Sequence, residues 1–243
     1  MAVPEEYVAV WARETIGFDD GPAGETEDVR WIQTSELYTD LRLERGGDGA
    51  VSFGGTCTAI DPTENGPSPG LPRLRWSHEL ELERDAGSDT LAGVDEGAVS
   101  WEDGDLIERG SFDGPNGPIV YTEVWRRLDP GSGPCMALAS TDGTSRLAML
   151  GSHCLTICDE RVAGPDGTTG EYLARYQVRG SDGWVDELSL GQVDVLPDPP
   201  EGELIAGDLI HWAGRTWLVV EYGPVPEPAP RELSESRTEG VIT

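Results

Sequence analysis

His78, Glu108 and Glu123 are the residues of this sequence best suited to proton chemistry, and each lies in a stretch whose alternation turns it toward an apolar face. An imidazole exchanges protons near neutral pH, and a carboxyl walled by aromatic rings is pushed toward the protonated form in which it acts as an acid. In RLRWSHELELE, residues 73–83, residues two apart share a face. Leu74, Trp76, His78, Leu80 and Leu82 therefore form the inner face, because the other is Arg, Ser and Glu throughout. The two-residue turn Asp103-Gly104 sets Trp101 opposite Leu106 and Val99 opposite Glu108, so an inward Trp101 brings Glu108 inward too. In YTEVWRRL the aromatic pair selects the face of Tyr121, Glu123 and Trp125.

The stretch WIQTSELYTDLRLE is harder to orient, since the face of Leu37, Leu41 and Leu43 opposes that of Tyr38, Asp40 and Arg42. Either can line an interior, and a bulge at Ser35-Glu36 would flip the register there. The reading favoured is Tyr38, Asp40 and Arg42 inside, with Arg42 pairing Glu123 or Glu108. Three acids, Asp40, Glu108 and Glu123, then face one arginine and one histidine. Unpaired buried carboxylates are costly, so one acid is protonated, or His78 is charged, or a cationic ligand enters; each makes the interior respond to pH. A buried histidine bonded to a carboxylate, however, more commonly serves packing than chemistry.

Other motifs carry less. His153, Cys154 and Cys158 form H-C-x-x-x-C, but four strand residues span about 13 Å, too far for one tetrahedral metal without a sharp bend. The cysteines are expected to pack as small apolar groups, with no metal bound. Haem ligation by His78, His153 or His211 has no attachment motif to support it. The sequence has no G-x-S-x-G elbow, P-loop, dinucleotide fingerprint or H-E-x-x-H. No cofactor is expected.

The elements that position these residues are strands. With 32 Gly and 18 Pro in 243 residues, few windows hold an ordinary helix, and short alternating runs between turn signals indicate an all-β fold. Asp103-Gly104 and Ala213-Gly214 are two-residue hairpin signals, with Asp142-Gly143 and Asp182-Gly183 similar. Consecutive antiparallel pairs leave exposed edges unless the sheet closes, which predicts an antiparallel up-and-down barrel, with a two-sheet sandwich as alternative. Segments 61–72 and 86–96 read as long loops. One barrel domain is expected over residues 1–223, with additional C-terminal hairpins at 165–223, followed by a disordered, proline-led acidic tail at 224–243.

Composition narrows the partners. Seventeen basic residues, all arginine, stand against 46 acidic ones, and a net charge of −29 repels nucleic-acid backbones and anionic membranes. Four scattered cysteines fit a reducing cytoplasm, the acidic opening residues do not read as a signal peptide, and no apolar run reaches membrane-spanning length. A soluble cytoplasmic protein is expected.

The landmarks Trp31-x-Gln33-Thr34-x-x-Leu37-Tyr38-x-Asp40-x-Arg42, Trp76-x-His78-Glu79, Asp105-Leu106-Ile107-Glu108 and Tyr121-x-Glu123-x-Trp125-Arg126-Arg127 stand in order. Together they resemble a group of uncharacterised bacterial calycin-like proteins, distantly similar to the yeast Hri1 type. The resemblance covers roughly residues 5 to 160 and implies a lipocalin-like barrel with a central cavity; it brings no activity. A nitrobindin-like haem barrel is another calycin form, but its pattern is not found here.

Three functions follow. The first is a binding module for a small hydrophobic or amphipathic molecule, with Trp76, Trp101, Tyr121 and Trp125 as walls and His78, Glu108, Glu123 and Arg42 as orienting groups beside Tyr38 and Asp40. The second is an enzyme on the same barrel, in which Glu108 or Glu123 works with His78 in cyclisation, isomerisation or dehydration of a hydrophobic metabolite. The third is a protein–protein interaction domain, which requires a filled barrel and an apolar patch outside.

Overall fold

The frequent Gly and Pro residues cut the chain into hairpins, and the two-residue turns take the left-handed conformations such hairpins need: Asp103 and Gly104 have φ of 51° and 97°, Ala213 and Gly214 of 50° and 71°. A computed structural model describes residues 3–19, 21–62, 68–84, 95–160, 162–164, 167–169, 171–193 and 196–227. Among them, a 3-10 turn at Glu5–Tyr7 precedes seventeen strands.

The first eight are β1 (Ala9–Phe18), β2 (Glu27–Gln33), β3 (Tyr38–Glu44), β4 (Ala50–Ile60), β5 (Arg73–Arg84), β6 (Asp95–Glu102), β7 (Asp105–Gly114) and β8 (Gly117–Leu128). Each pairs antiparallel with the next, and β8 returns to β1 with Val10 opposite Leu128, closing the barrel. This is the up-and-down barrel expected from the hairpin pattern. WIQTSELYTDLRLE is not one bulged strand: residues 34–37 turn the chain between β2 and β3, with Thr34 N–H donating to Leu37 O at 2.9 Å. The hairpin sets Trp31 opposite Asp40.

A second, seven-stranded sheet combines β9 (Pro134–Ser140), β10 (Ser145–Leu150), β11 (His153–Asp159), β14 (Tyr172–Gly180), β15 (Gly183–Leu190), β16 (Leu209–Trp212) and β17 (Arg215–Pro224), in the order β15-β14-β11-β10-β9-β17-β16. β12 (Val162–Gly164) and β13 (Gly167–Thr169) form a separate pair. The sheet thus starts earlier than the hairpins expected at 165–223, because three strands from Pro134 onward leave the barrel. Parts of the expected loops, 63–67 and 85–94, and of the expected tail, 228–243, lie outside the described residues.

The second sheet packs on the outside of β2, β3 and β4. Leu155 and Ile157 of β11 join Leu41 and Leu82 of the barrel in one buried cluster, while Cys154, Cys158, Trp217 and Val219 pack on the sheet's other face. Gly54 allows the close approach, since a Cβ there would lie 2.7 Å from Ile157 Cδ1.

β5 departs from simple alternation. Gly54 pairs with Leu80 but Gly55 pairs with His78, so Glu79 is an extra residue that reverses the strand's faces. Trp76 and His78 point inward as expected; Leu80 and Leu82 instead share the outer face of Gly54 and Ser52, under the second sheet, and Glu81 opposes Phe53 on the inner face.

Candidate functional site

Seven of the residues expected inside the barrel line one cavity: Tyr38, Asp40 and Arg42 from β3, Trp76 and His78 from β5, Glu108 from β7 and Trp125 from β8. Trp31, Phe53 and Asp95 complete its wall. The hairpin register places Glu108 opposite Val99 and Glu123. Gly97 leaves room for the acid, since a Cβ there would meet Glu108 Cγ at 2.6 Å.

A chain of polar groups runs through the site. Glu108 accepts the Tyr121 hydroxyl at 3.0 Å and the Trp125 Nε1–H at 3.2 Å. The same tyrosine oxygen lies 3.5 Å from Asp95 Oδ1, and Asp95 Oδ2 lies 3.2 Å from His78 Nε2. The His78 ring stacks on Phe53 at 4.4 Å, with Glu81 Oε2 3.8 Å from its Nδ1. Burial, with Glu123 and Asp95 adding to it, pushes the Glu108 carboxyl well above the usual range and favours its protonated form. Burial and Glu108 likewise raise Tyr121.

Glu123 is buried beside the cavity rather than in its wall. It takes part in an ion-pair cluster that the sequence reading missed: Arg13 Nη1 lies 2.6 Å from Glu123, its Nε lies 2.7 Å from Glu25, and Nη2 bonds Glu27. Arg13 was discoverable, as it lies two residues from Trp11 on a strand that faces inward. Arg42 pairs chiefly with Asp40 at 3.0 Å, with Glu123 farther at 3.7 Å. Asp95 was missed because it falls within a stretch read as a loop.

Trp101 turns inward as its register requires, but stands apart from the cavity. It stacks on Tyr7 at 6.1 Å and packs against Trp11 at 5.9 Å, at the barrel end beside the 3-10 turn. Trp31 joins this aromatic layer, with ring centroids 5.7 Å from Trp11 and 5.4 Å from Trp125.

So much aromatic filling leaves a cavity of about 20 Å³. That is room for a water or a head group of similar size, and a bulky apolar guest does not fit it as it stands. Three buried polar atoms of its wall have no hydrogen-bond partner among the described residues: Trp31 Nε1, Tyr38 Oη and His78 Nδ1.

The histidines stand apart. His153 bonds Tyr176 Oη at 2.6 Å and Asp129 O at 2.9 Å between sheet and barrel, and His211 is exposed on β16. A porphyrin is far larger than the space beside His78. His153 and the Cys154–Cys158 pair occupy opposite faces of β11, and burial raises the two thiols to about 12 and about 11. The H-C-x-x-x-C spacing therefore builds no common site. No helix among the described residues is long and apolar enough to cross a membrane.

No curated protein matches the chain. The crystal structure of the uncharacterized protein YLR301w from Saccharomyces cerevisiae aligns with a TM-score of 0.68 at 16% identity, over 88% of this chain and 98% of that one. Identity this low carries the fold alone. The family model described as Protein HRI1 matches residues 9–221, extending beyond residue 160, where the sequence resemblance ends, into β17, and the chain belongs to that family.

Proposed function

We propose that the protein binds a small molecule through a polar head group in the barrel interior. The observation that carries this reading is the set of unpartnered polar atoms, Trp31 Nε1, Tyr38 Oη and His78 Nδ1, around one cavity. A buried polar group without a partner costs about 1–3 kcal/mol, and a guest that bonds it recovers that cost. The space suits a head group with the remainder of the molecule toward the mouth, where the side chains of Asp95 and Arg42 are 29% and 25% exposed. The guest is therefore amphipathic rather than wholly apolar. The acidic chain and its four free, buried cysteines suit a reducing, cytoplasmic setting without nucleic acid or membrane.

Native mass spectrometry of the purified chain, joined to a thermal-shift screen of small polar and amphipathic compounds, tests the proposal. The expected result is one guest per chain whose affinity falls in Tyr38→Phe and His78→Ala. A guest indifferent to both substitutions sits elsewhere and refutes the barrel site.

One observation favours a second reading, an interaction domain. Leu209 of β16, 63% exposed, pairs with exposed Leu218 of β17 at one edge of the second sheet, beside Ile205 at 68%. Self-association or partner capture abolished by Leu209→Asp, with no guest found in the barrel, would support it.

A further inference from the structure

Taking the barrel interior as a small-molecule site, which this step rests on, we infer that the guest is a protonated amine whose ammonium head lies between Asp95 and Glu108 against the rings of Tyr38, Phe53 and Trp76. The charge pattern selects the class. Among the described residues Arg42 is engaged by Asp40, and Arg13 by Glu123, Glu25 and Glu27. Asp95 and Glu108 are the carboxyl groups of the cavity wall left without an arginine; their partners are His78, Tyr121 and Trp125. An anionic head would enter against Asp40, Asp95 and Glu108 together, and a neutral head would bring Asp95 and Glu108 no counter-charge.

The acceptors of the cavity fit an ammonium, while the Trp31 Nε1–H, a donor only, is left to a water or to another atom of the guest. The Tyr38 hydroxyl, on a residue only 2% exposed, has a free acceptor position, and an ammonium N–H supplies its donor. Aromatic faces attract a desolvated cation through the ring quadrupole. Size agrees, since the space of about 20 Å³ holds a single water-sized group.

Entry of the cation changes the proton balance of Glu108. The titratable groups around this carboxyl are Glu123 and Tyr121 from β8, Asp95 from β6, Tyr38, Asp40 and Arg42 from β3, Cys57 from β4 and His78 from β5. With the acids outnumbering the cations, the empty site favours the protonated form of Glu108. An incoming ammonium supplies the missing positive charge, so the carboxyl O–H ionises, the carboxylate pairs with the ammonium, and the proton leaves to solvent.

The test is isothermal titration calorimetry of the full chain with n-propylamine hydrochloride and, as neutral isostere, n-propanol, in two buffers of different ionisation enthalpy at about pH 7. The amine is expected to bind at least about tenfold tighter than the alcohol, with a buffer-dependent heat that reports net proton release. Glu108→Gln should weaken the amine about tenfold and abolish proton release. Asp95→Asn should weaken it while keeping release, and decides the matter if Glu108→Gln does not fold. Propanol binding as tightly as propylamine, or proton release persisting in folded Glu108→Gln, overturns the inference. A neutral or anionic guest binding in the barrel while amines do not would overturn only the amine; no guest of any class would overturn the binding site as well.

Discussion

Tyr121 donates its hydroxyl to Glu108 across 3.0 Å, and the same oxygen lies 3.5 Å from Asp95. One phenol thereby ties a deeply buried acid to an acid at the mouth, and through Asp95 to His78. The barrel interior is a connected polar network inside an aromatic shell, and its members respond to one another's charge.

The Glu108 carboxyl is raised on folding, so the stability it contributes is full below its ordinary value of 4.5 and is lost as pH rises through the higher folded value. Glu108→Gln removes that dependence. Urea unfolding across a pH series should show the substituted chain gaining on the parent steadily as pH climbs above that ordinary value. Parallel stability curves would contradict a raised Glu108.

Arg13 is buried among three carboxylates, with Glu123 and Glu25 buried as well. Arg13→Met leaves those acids without their counter-charge and should cost about 3–5 kcal/mol in urea unfolding at neutral pH. Adding Glu123→Gln should restore part of the loss. A cost under about 1 kcal/mol would mean that solvent screens the cluster.

Gly55 faces the bulge in β5, and a Cβ there would lie 1.9 Å from the Ser77 carbonyl oxygen. At Gly54 the nearest atom is the tip of the Ile157 side chain, at 2.7 Å. A side-chain tip yields more readily than backbone. Gly54→Ala should therefore destabilise by about 1–3 kcal/mol and Gly55→Ala by more, as read from chemical denaturation. The reverse order would show that the bulge adapts.

His153 donates Nε2–H to Asp129 O, and its Nδ1 lies 2.6 Å from the Tyr176 hydroxyl. Burial, supported by Arg30, lowers its pKa from 6.5. Its contribution is full above the unfolded value of 6.5 and falls as pH drops through that value toward the folded one. His153→Gln should flatten this acid-side loss in thermal melts between about pH 7.5 and pH 5. An unchanged slope would place the titration elsewhere.

The barrel was legible because two-residue turns fix register: Asp103-Gly104 alone determines that Val99 opposes Glu108. The β8 face could be read because Tyr121 and Trp125 bracket Glu123. The flip at Glu79 left no such trace, since Leu80 and Leu82 look equally suited to an interior and to a surface covered by another sheet. Assignment of β9–β11 to a second sheet was hidden for a related reason. SRLAML and HCLTICD are buried on both faces, a pattern common to any doubly covered strand whatever sheet it joins. The filling of the cavity depends on how rings from separate strands, such as Trp11, Trp31 and Trp125, meet in space.

The placement of β17 has a consequence for biosynthesis. Its residues 217–224 pair with β9, where Gly223 meets Cys135, and β9 in turn flanks β10. The barrel can close once Leu128 has left the ribosome, whereas the neighbouring layer keeps an open flank until strand 215–224 arrives. In the order of translation, β9 therefore keeps an unpaired hydrogen-bonding edge until the β16–β17 hairpin has been made.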